Sequence, residues 1–129
     1  MQGRTHEPPD KDRLAGELLS YRELPQGWDG YDGVPASDRA VDDALRALTA
    51  RPSDIPLPFP QLAPDAEVGL YWRDDSVYVE LGFYGGGEFS YYARYTLESG
   101  EREEDGRDRC SLDAEWSESL LLILNKLSR

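Results

Sequence analysis

The chain has 129 residues and a formal net charge of −12, from 14 basic and 26 acidic residues. This length suits one domain with its own core, and the acidity disfavours direct binding to nucleic acid or to anionic membranes. The single cysteine excludes an internal disulfide. It suits a reducing compartment, and we find no membrane-length apolar run and no signal-peptide pattern, so we expect a cytoplasmic protein.

Two amphipathic helices are predicted in the first half of the chain, after a flexible tail over residues 1–9. The first helix, over 10–24, carries Leu14, Leu18 and Tyr21 on one face. The second helix, over 37–52, begins at the favourable N-cap Ser37 and ends at Pro52.

The segment between these helices, PQGWDGYDGVPAS, is too apolar for a linker and too interrupted for a helix or strand. We interpret it as a structural clasp. Its glycines permit backbone angles that other residues resist, and Asp29 can accept backbone amides in an Asx-turn. Trp28 and Tyr31 are expected to point inward, between the helices and the sheet. The clasp residues are Trp28, Asp29, Gly30, Tyr31 and Gly33.

A proline-rich segment over 53–67 follows the second helix. Its alternation of prolines with Leu57 and Phe59 favours an extended strap of polyproline type. One interpretation is a ligand for a proline-binding domain. We favour the other, in which these two bulky side chains pack over the core.

Three strands are predicted over 67–73, 76–84 and 88–97, because apolar and polar residues alternate there. The short connectors at 74–75 and 85–87 predict antiparallel pairing of consecutive strands. The GGG connector lies between two strands, so a hairpin turn is favoured over a phosphate-binding loop.

An acidic loop over 98–112 and a C-terminal helix over 113–128, capped by Asp113, complete the predicted elements. The predicted order is α-α-β-β-β-α. It describes a three-stranded antiparallel meander covered by helices, which is a two-layer α+β fold forming a single domain over residues 10–129.

The residue types do not favour catalysis or metal binding. The only histidine, His6, lies in the predicted tail, so neither Cys110 nor a serine has a base to activate it. One cysteine and one histidine cannot supply four zinc ligands, and the aspartates within 29–38 have the wrong spacing for a calcium loop. We expect a protein that is not an enzyme and that uses no cofactor or metal.

Two features favour a binding surface. Tyrosines fall on the sheet face opposite the apolar one, where their amphipathic rings suit an interface unless another element, such as the strap, covers them. Residues 98–118 hold nine acidic and three basic residues, a net of −6, which suits mimicry of nucleic acid phosphates or, alternatively, a solvated loop. The predicted partner-binding residues are Tyr71, Tyr78, Glu80, Tyr92, Arg94, Glu101, Glu103, Glu104, Asp105 and Asp108.

The stretch GWDGYDGVPAS, followed by a helix, an LPFP strap and strands, resembles a family of small uncharacterised bacterial and phage proteins with a WDGYGA-x-P signature. The resemblance covers about residues 24–95. It implies a fold and a bacterial or phage origin, and it implies no activity. The matched positions are Trp28, Asp29, Gly30, Tyr31, Gly33 and Pro35, whereas Asp32 and Val34 depart from the signature.

These features together predict a non-enzymatic acidic protein that inhibits a basic, nucleic-acid-handling protein by steric and electrostatic blocking. Antitoxins, toxin-immunity proteins and phage-encoded inhibitors of host defence, such as anti-CRISPR proteins, fit this description. One alternative is a small-ligand-binding or catalytic domain that uses the tyrosine face with Glu80 and Arg94. Another is a structural module that dimerises through a sheet edge, and both a monomer and a homodimer remain open.

Overall fold

The fold combines three α-helices with five strands in a computed structural model that describes residues 10–127. The predicted tail over 1–9 lies outside the described residues. No helix within 10–127 has the length and apolar character needed to cross a membrane. In chain order the elements are α1 (Lys11–Ser20), a 3-10 turn (Tyr21–Glu23), α2 (Asp38–Ala50), β1 (Phe59–Leu62), β2 (Val68–Arg73), β3 (Val77–Phe83), β4 (Glu88–Thr96), β5 (Arg102–Ser111) and α3 (Glu118–Leu124).

The strands form one antiparallel sheet in the order β1-β2-β3-β4-β5. The α+β class is confirmed, but the predicted three-stranded meander is wrong, because the sheet has two further strands. β1 lies in the segment predicted as a strap, and β5 lies in the segment predicted as an acidic loop. Both are edge strands, paired on one side only.

β1 was missed because Pro60 within it, and Pro56 and Pro58 before it, suggested an extended strap. Proline cannot donate to a ladder, but an edge strand tolerates it, since one side of the strand needs no partner. Leu57 packs against the core, as the strap interpretation requires, and the neighbouring Ile55 and Pro58 are buried. Phe59 does not, because it lies 47% exposed and pairs with Tyr71 across the sheet.

β5 was missed because it lacks apolar alternation. It nevertheless pairs with β4 from Arg102, opposite Thr96, to Ser111, opposite Glu88. The ladder contains a bulge close to Arg109, which has a positive φ of 61°. Charged side chains are typical of an edge strand, because they discourage pairing with other chains.

The helices cover one face of the sheet and form the core with it. Leu18 of α1, Val41 of α2 and Leu120 of α3 are fully buried, together with Leu81 and Phe83 of β3. Along β3 the side chains alternate strictly between buried and half-buried. The opposite face of the sheet is therefore left outside this core.

The C-terminal helix is shorter than predicted, covering Glu118–Leu124 instead of 113–128. Its N-cap is Ser117, whose hydroxyl accepts the Leu120 amide at 3.2 Å. Asp113 instead accepts from the guanidinium of Arg46 at 2.7 Å. The non-helical segment before α3 allows Trp116 to pack against the sheet, with ring centroids 6.2 Å from Trp72.

A buried carboxylate joins α2 to the β3–β4 turn. Asp43 is 7% exposed, and its Oδ2 accepts the Gly87 amide at 2.8 Å. In the same turn Gly85 has a φ of +95°, and a Cβ at that position would lie 2.8 Å from the Cβ of Arg39. Only glycine fits this close approach of the turn to the start of α2.

Candidate functional site

The sheet face opposite the core, which we call the open face, carries most of the predicted site residues. The register places its side chains in rows that cross the strands. One row holds Arg73, Tyr78, Arg94 and Glu104. The next row holds Phe59, Tyr71, Glu80, Tyr92 and Gly106.

Four rings from these two rows form a continuous strip on the open face. We call this strip the aromatic row, and it consists of Phe59, Tyr71, Tyr78 and Tyr92. Successive ring centroids lie 5.6, 6.3 and 6.5 Å apart, within the range of favourable aromatic pairs. The tyrosines are half-buried. Phe59, which belongs to the proline-rich segment, lies at one end of the aromatic row and lengthens it.

Tyr78, Glu80 and Arg94 converge on the open face. The Tyr78 hydroxyl donates to Glu80 Oε2 at 2.8 Å, and the Arg94 guanidinium lies 5.0 Å from the centre of the Tyr78 ring. Burial, and then the bond to Glu80, raises the pKa of Tyr78 to about 12. The hydroxyl therefore stays protonated to a higher pH than that of an ordinary tyrosine, and the three side chains hold one another in place.

An acidic depression of about 160 Å³ lies further along the open face, lined by Glu67, Glu80 and Asp108 among others. Burial, followed by repulsion from Asp65 and Glu80, raises the pKa of Glu67. Sequence reasoning missed Glu67 and Phe59 as site residues. For Glu67 the signal was present, because the alternation over 67–73 places it on the same face as Tyr71.

The acids of the β4–β5 region are exposed but do not share one face. Glu101 lies in the turn before β5, and Glu101, Glu103, Glu104 and Asp108 are exposed. Glu104 is opposite Arg94 and Glu103 is opposite Tyr95, so their side chains project to opposite faces. The strand therefore presents negative charge to both sides of the sheet edge.

Asp105 makes structural contacts that its neighbours lack. Its Oδ2 accepts from the Tyr91 hydroxyl at 2.9 Å and from the Ser119 hydroxyl at 2.7 Å. The bond from Ser119 lowers the pKa of this carboxyl most, and the bond from Tyr91 adds to the effect. Asp105 therefore connects β5 to α3, and it is less available to a partner than the exposed acids.

The clasp is held by hydrogen bonds of its own. Asp29 Oδ1 accepts the amides of Tyr31 and Gly33, each at 2.9 Å, which is the Asx-turn that the sequence predicts. The Tyr31 amide is the main cause that lowers the pKa of Asp29. The Trp28 indole donates to Val34 O at 2.9 Å, and this side chain is half-buried.

Tyr31 does not point inward, and that prediction is wrong, because its side chain is 85% exposed. The residue follows a turn in which the Gly30 amide donates to Gly27 O at 2.9 Å, and both glycines have positive φ. This turn reverses the chain immediately before Tyr31, so the ring projects away from the helices and the sheet.

Tyr84 lies just beyond β3 and outside the aromatic row. Its side chain is 60% exposed, and its hydroxyl donates to Asp65 Oδ2 at 2.7 Å. This bond is the main cause that raises the pKa of Tyr84 to about 12. Tyr84 therefore supports the turn after β1 and does not extend the ring strip.

The described residues contain no cluster suited to a metal ion, and the pKa of their one thiol is raised. Within 10–127 no group of three or more His, Cys, Asp or Glu side chains is arranged to hold a metal ion. Cys110 is half-buried, and burial raises the pKa of its thiol. His6 lies outside the described residues.

Comparison with known proteins does not extend this description. The chain matches no protein-family model, no curated protein and no solved structure. The resemblance to the WDGYGA-x-P family stays a prediction. Function therefore has to be inferred from the open face and from β5.

Proposed function

We propose that this protein is a non-enzymatic acidic binding protein that inhibits a basic, nucleic-acid-handling protein. It acts in the cytoplasm by covering the basic surface of its partner. The observation that carries the proposal is the position of the exposed acids, within and just before an edge strand that pairs with β4, the strand that carries Tyr92 of the aromatic row. Charge and aromatic contact area thus lie next to each other.

The β5 acids are supported by regular structure, in contrast to the loop that the sequence suggested. Pairing with β4 holds the backbone of Glu103 and Glu104 in place before any partner arrives. A preorganised strand loses less conformational entropy on binding than a flexible loop does. The net charge of −12 also attracts a basic partner at long range, which accelerates association and makes it sensitive to salt.

The aromatic row supplies the second half of the proposed interface. Half-buried tyrosines are favourable contact residues, because they bury a large apolar area while the hydroxyl keeps a polar partner. Steric blocking of a nucleic acid channel requires a folded acidic surface and no catalytic group. Antitoxins, toxin-immunity proteins and anti-CRISPR proteins are the classes that this mechanism fits.

The test compares two variants that each lose four negative charges. The strand variant is Glu101→Gln, Glu103→Gln, Glu104→Gln and Asp108→Asn, and it keeps Asp105 because of that residue's bonds to Tyr91 and Ser119. The control variant is Asp12→Asn, Glu17→Gln, Asp42→Asn and Asp54→Asn, all exposed positions in the helical half of the chain.

Wild type and both variants are used as bait in host lysate at low salt, and any captured protein is then purified. We expect wild type and control to capture a basic nucleic-acid-binding protein and to block its binding of DNA or RNA. The strand variant should fail at both steps. Capture of no specific partner, or equal blocking by both variants, would contradict the proposal.

A second candidate function is ligand binding on the open face, and the convergence of Tyr78, Glu80 and Arg94 favours it. The depressions there, of about 160 Å³ each, are smaller than the roughly 300–1,000 Å³ of sites that enclose a drug-sized ligand. A ligand on this face would therefore lie across the sheet and extend beyond the depression.

A further inference from the structure

Three arginines gather at one end of the open face, which we call the arginine end. Arg73 and Arg94 flank Tyr78 in the register of β2, β3 and β4, and Arg102 lies opposite Thr96 at the start of β5. All three arginines and Tyr78 line one cavity of about 160 Å³. Three positive charges thus face one small space in a strongly acidic chain.

Within the described residues, no ion pair neutralises the guanidinium groups of these arginines. Elsewhere in the described chain Arg22, Arg46 and Arg109 each lie within 4.0 Å of a carboxylate. Within residues 10–127, Arg73 and Arg102 have no such contact, and Arg94 contacts only the ring of Tyr78. No carboxylate of the described residues therefore engages their donors, which are the groups that bind an anion.

Three acidic residues lie close to the arginine end. Asp74 and Asp75 line the same cavity, and Glu104 is opposite Arg94. Asp74 Oδ1 accepts the amides of Ser76 and Val77, each at 2.9 Å, so this oxygen is engaged in the β2–β3 turn. These acids reduce the local positive potential, and within residues 10–127 none of them lies within 4.0 Å of the three guanidinium groups.

The shape of the face indicates what kind of anion fits. A cavity of about 160 Å³ has room for a small anionic group and not for a whole drug-sized ligand. The aromatic row passes along its wall, since Tyr78 lines the cavity and its ring centroid lies 6.3 Å from that of Tyr71. Guanidinium groups bind phosphate through paired donors, and tyrosine rings stack on planar ligands.

We propose that the arginine end binds a phosphate monoester attached to a planar ring, as in a nucleoside monophosphate. The phosphate lies among the guanidinium groups of Arg73, Arg94 and Arg102, and the planar ring lies over Tyr71 and Phe59. This inference goes beyond the inhibitor function: both use the aromatic row, but the inhibitor function requires the acids of β5 and the anion site requires the three arginines.

The test is a calorimetric titration of the full chain with adenosine monophosphate, inorganic phosphate and adenosine as separate probes. The variants are Arg73→Gln with Arg94→Gln, and Arg102→Gln alone, with Arg13→Gln as the control on α1. Arg102 makes no ring or ion-pair contact in the described residues, so Arg102→Gln still tests the site if losing the Arg94–Tyr78 contact impairs folding.

We expect saturable binding of adenosine monophosphate, and binding of inorganic phosphate and of adenosine that is at least about tenfold weaker. The arginine variants should weaken adenosine monophosphate at least about tenfold, whereas Arg13→Gln should not. Three results would overturn the proposal. They are no saturable binding of adenosine monophosphate, equal binding by the control and arginine variants, and phosphate binding as tight as that of the nucleotide.

Discussion

Replacing Asp43 with alanine should destabilise the fold, because it removes the carboxylate that joins α2 to the β3–β4 turn. That carboxylate is 7% exposed and accepts the Gly87 amide at 2.8 Å. Alanine would leave this half-buried amide without its protein acceptor. A neighbouring aspartate, Asp42, lies exposed on the same helix and serves as the matched control.

The expected loss follows from the type of bond. A hydrogen bond to a charged group contributes about 1.5–3 kcal/mol, and we take about 2 kcal/mol for this one. Unfolding entropy of about 2.1 cal/mol/K per residue over 129 residues converts this loss into a fall in Tm of about 7 °C. Alanine also raises helix propensity at both positions, so the comparison with Asp42→Ala isolates the bond.

Thermal unfolding followed by circular dichroism, supported by urea titration, measures the difference. We expect Asp43→Ala to unfold about 7 °C below Asp42→Ala, and Asp43→Asn to lie between them because a neutral acceptor is weaker. Equal midpoints for the two alanine variants would refute the reasoning, since the buried bond would then contribute nothing to the fold.

Three further predictions concern the clasp, the open face and the edge strand. Gly33→Ala adds a methyl group 2.6 Å from a neighbouring carboxylate oxygen and should lower the free energy of unfolding by about 1–3 kcal/mol. Gly16→Ala, which points into open space on α1, should raise the free energy of unfolding by about 0.5–1 kcal/mol. Urea titration measures both, and a loss of stability in both variants would contradict the reasoning. The raised pKa of Tyr78, about 12, means that the folded state keeps a proton that the unfolded state loses above pH 10. The free energy of unfolding should therefore fall between pH 10 and 12, less steeply in Tyr78→Phe, and an equal fall would argue against it. The double variant Glu103→Val and Glu104→Thr should promote self-association, because it removes charge from the exposed edge strand β5. Sedimentation measures this, and a monomer at all concentrations would show that the charge is not needed to prevent pairing of edges.

The middle of the sheet was predictable because its two faces differ. Val77, Val79, Leu81 and Phe83 meet the helices, so alternation in β3 is imposed by burial on one face only. The same reasoning places Tyr78 and Glu80 together on the open face, where their side chains are hydrogen-bonded. The two-residue alternation of β3 thus implied that Tyr78 and Glu80 lie side by side on the open face.

The remaining errors arise where burial does not determine the sequence. The clasp is held by backbone and side-chain hydrogen bonds. The presence of an aromatic residue such as Tyr31 in its sequence therefore does not indicate whether that ring is buried. The C-terminal helix begins late because Ser117 caps it and Trp116 packs before it starts, and the period of the apolar residues does not show this. Such details depend on contacts between distant segments.

The charge of β5 can be compared with two roles, protection of the sheet edge and the proposed attraction of a basic partner. Protection of an exposed edge requires charge of either sign, so it accounts for the strand as a whole. Residues 101–105 hold four acids and one arginine, whereas residues 106–111 hold one acid and two arginines. Edge protection does not account for this bias in sign, whereas the proposed attraction of a basic partner to the turn end of β5 would require it.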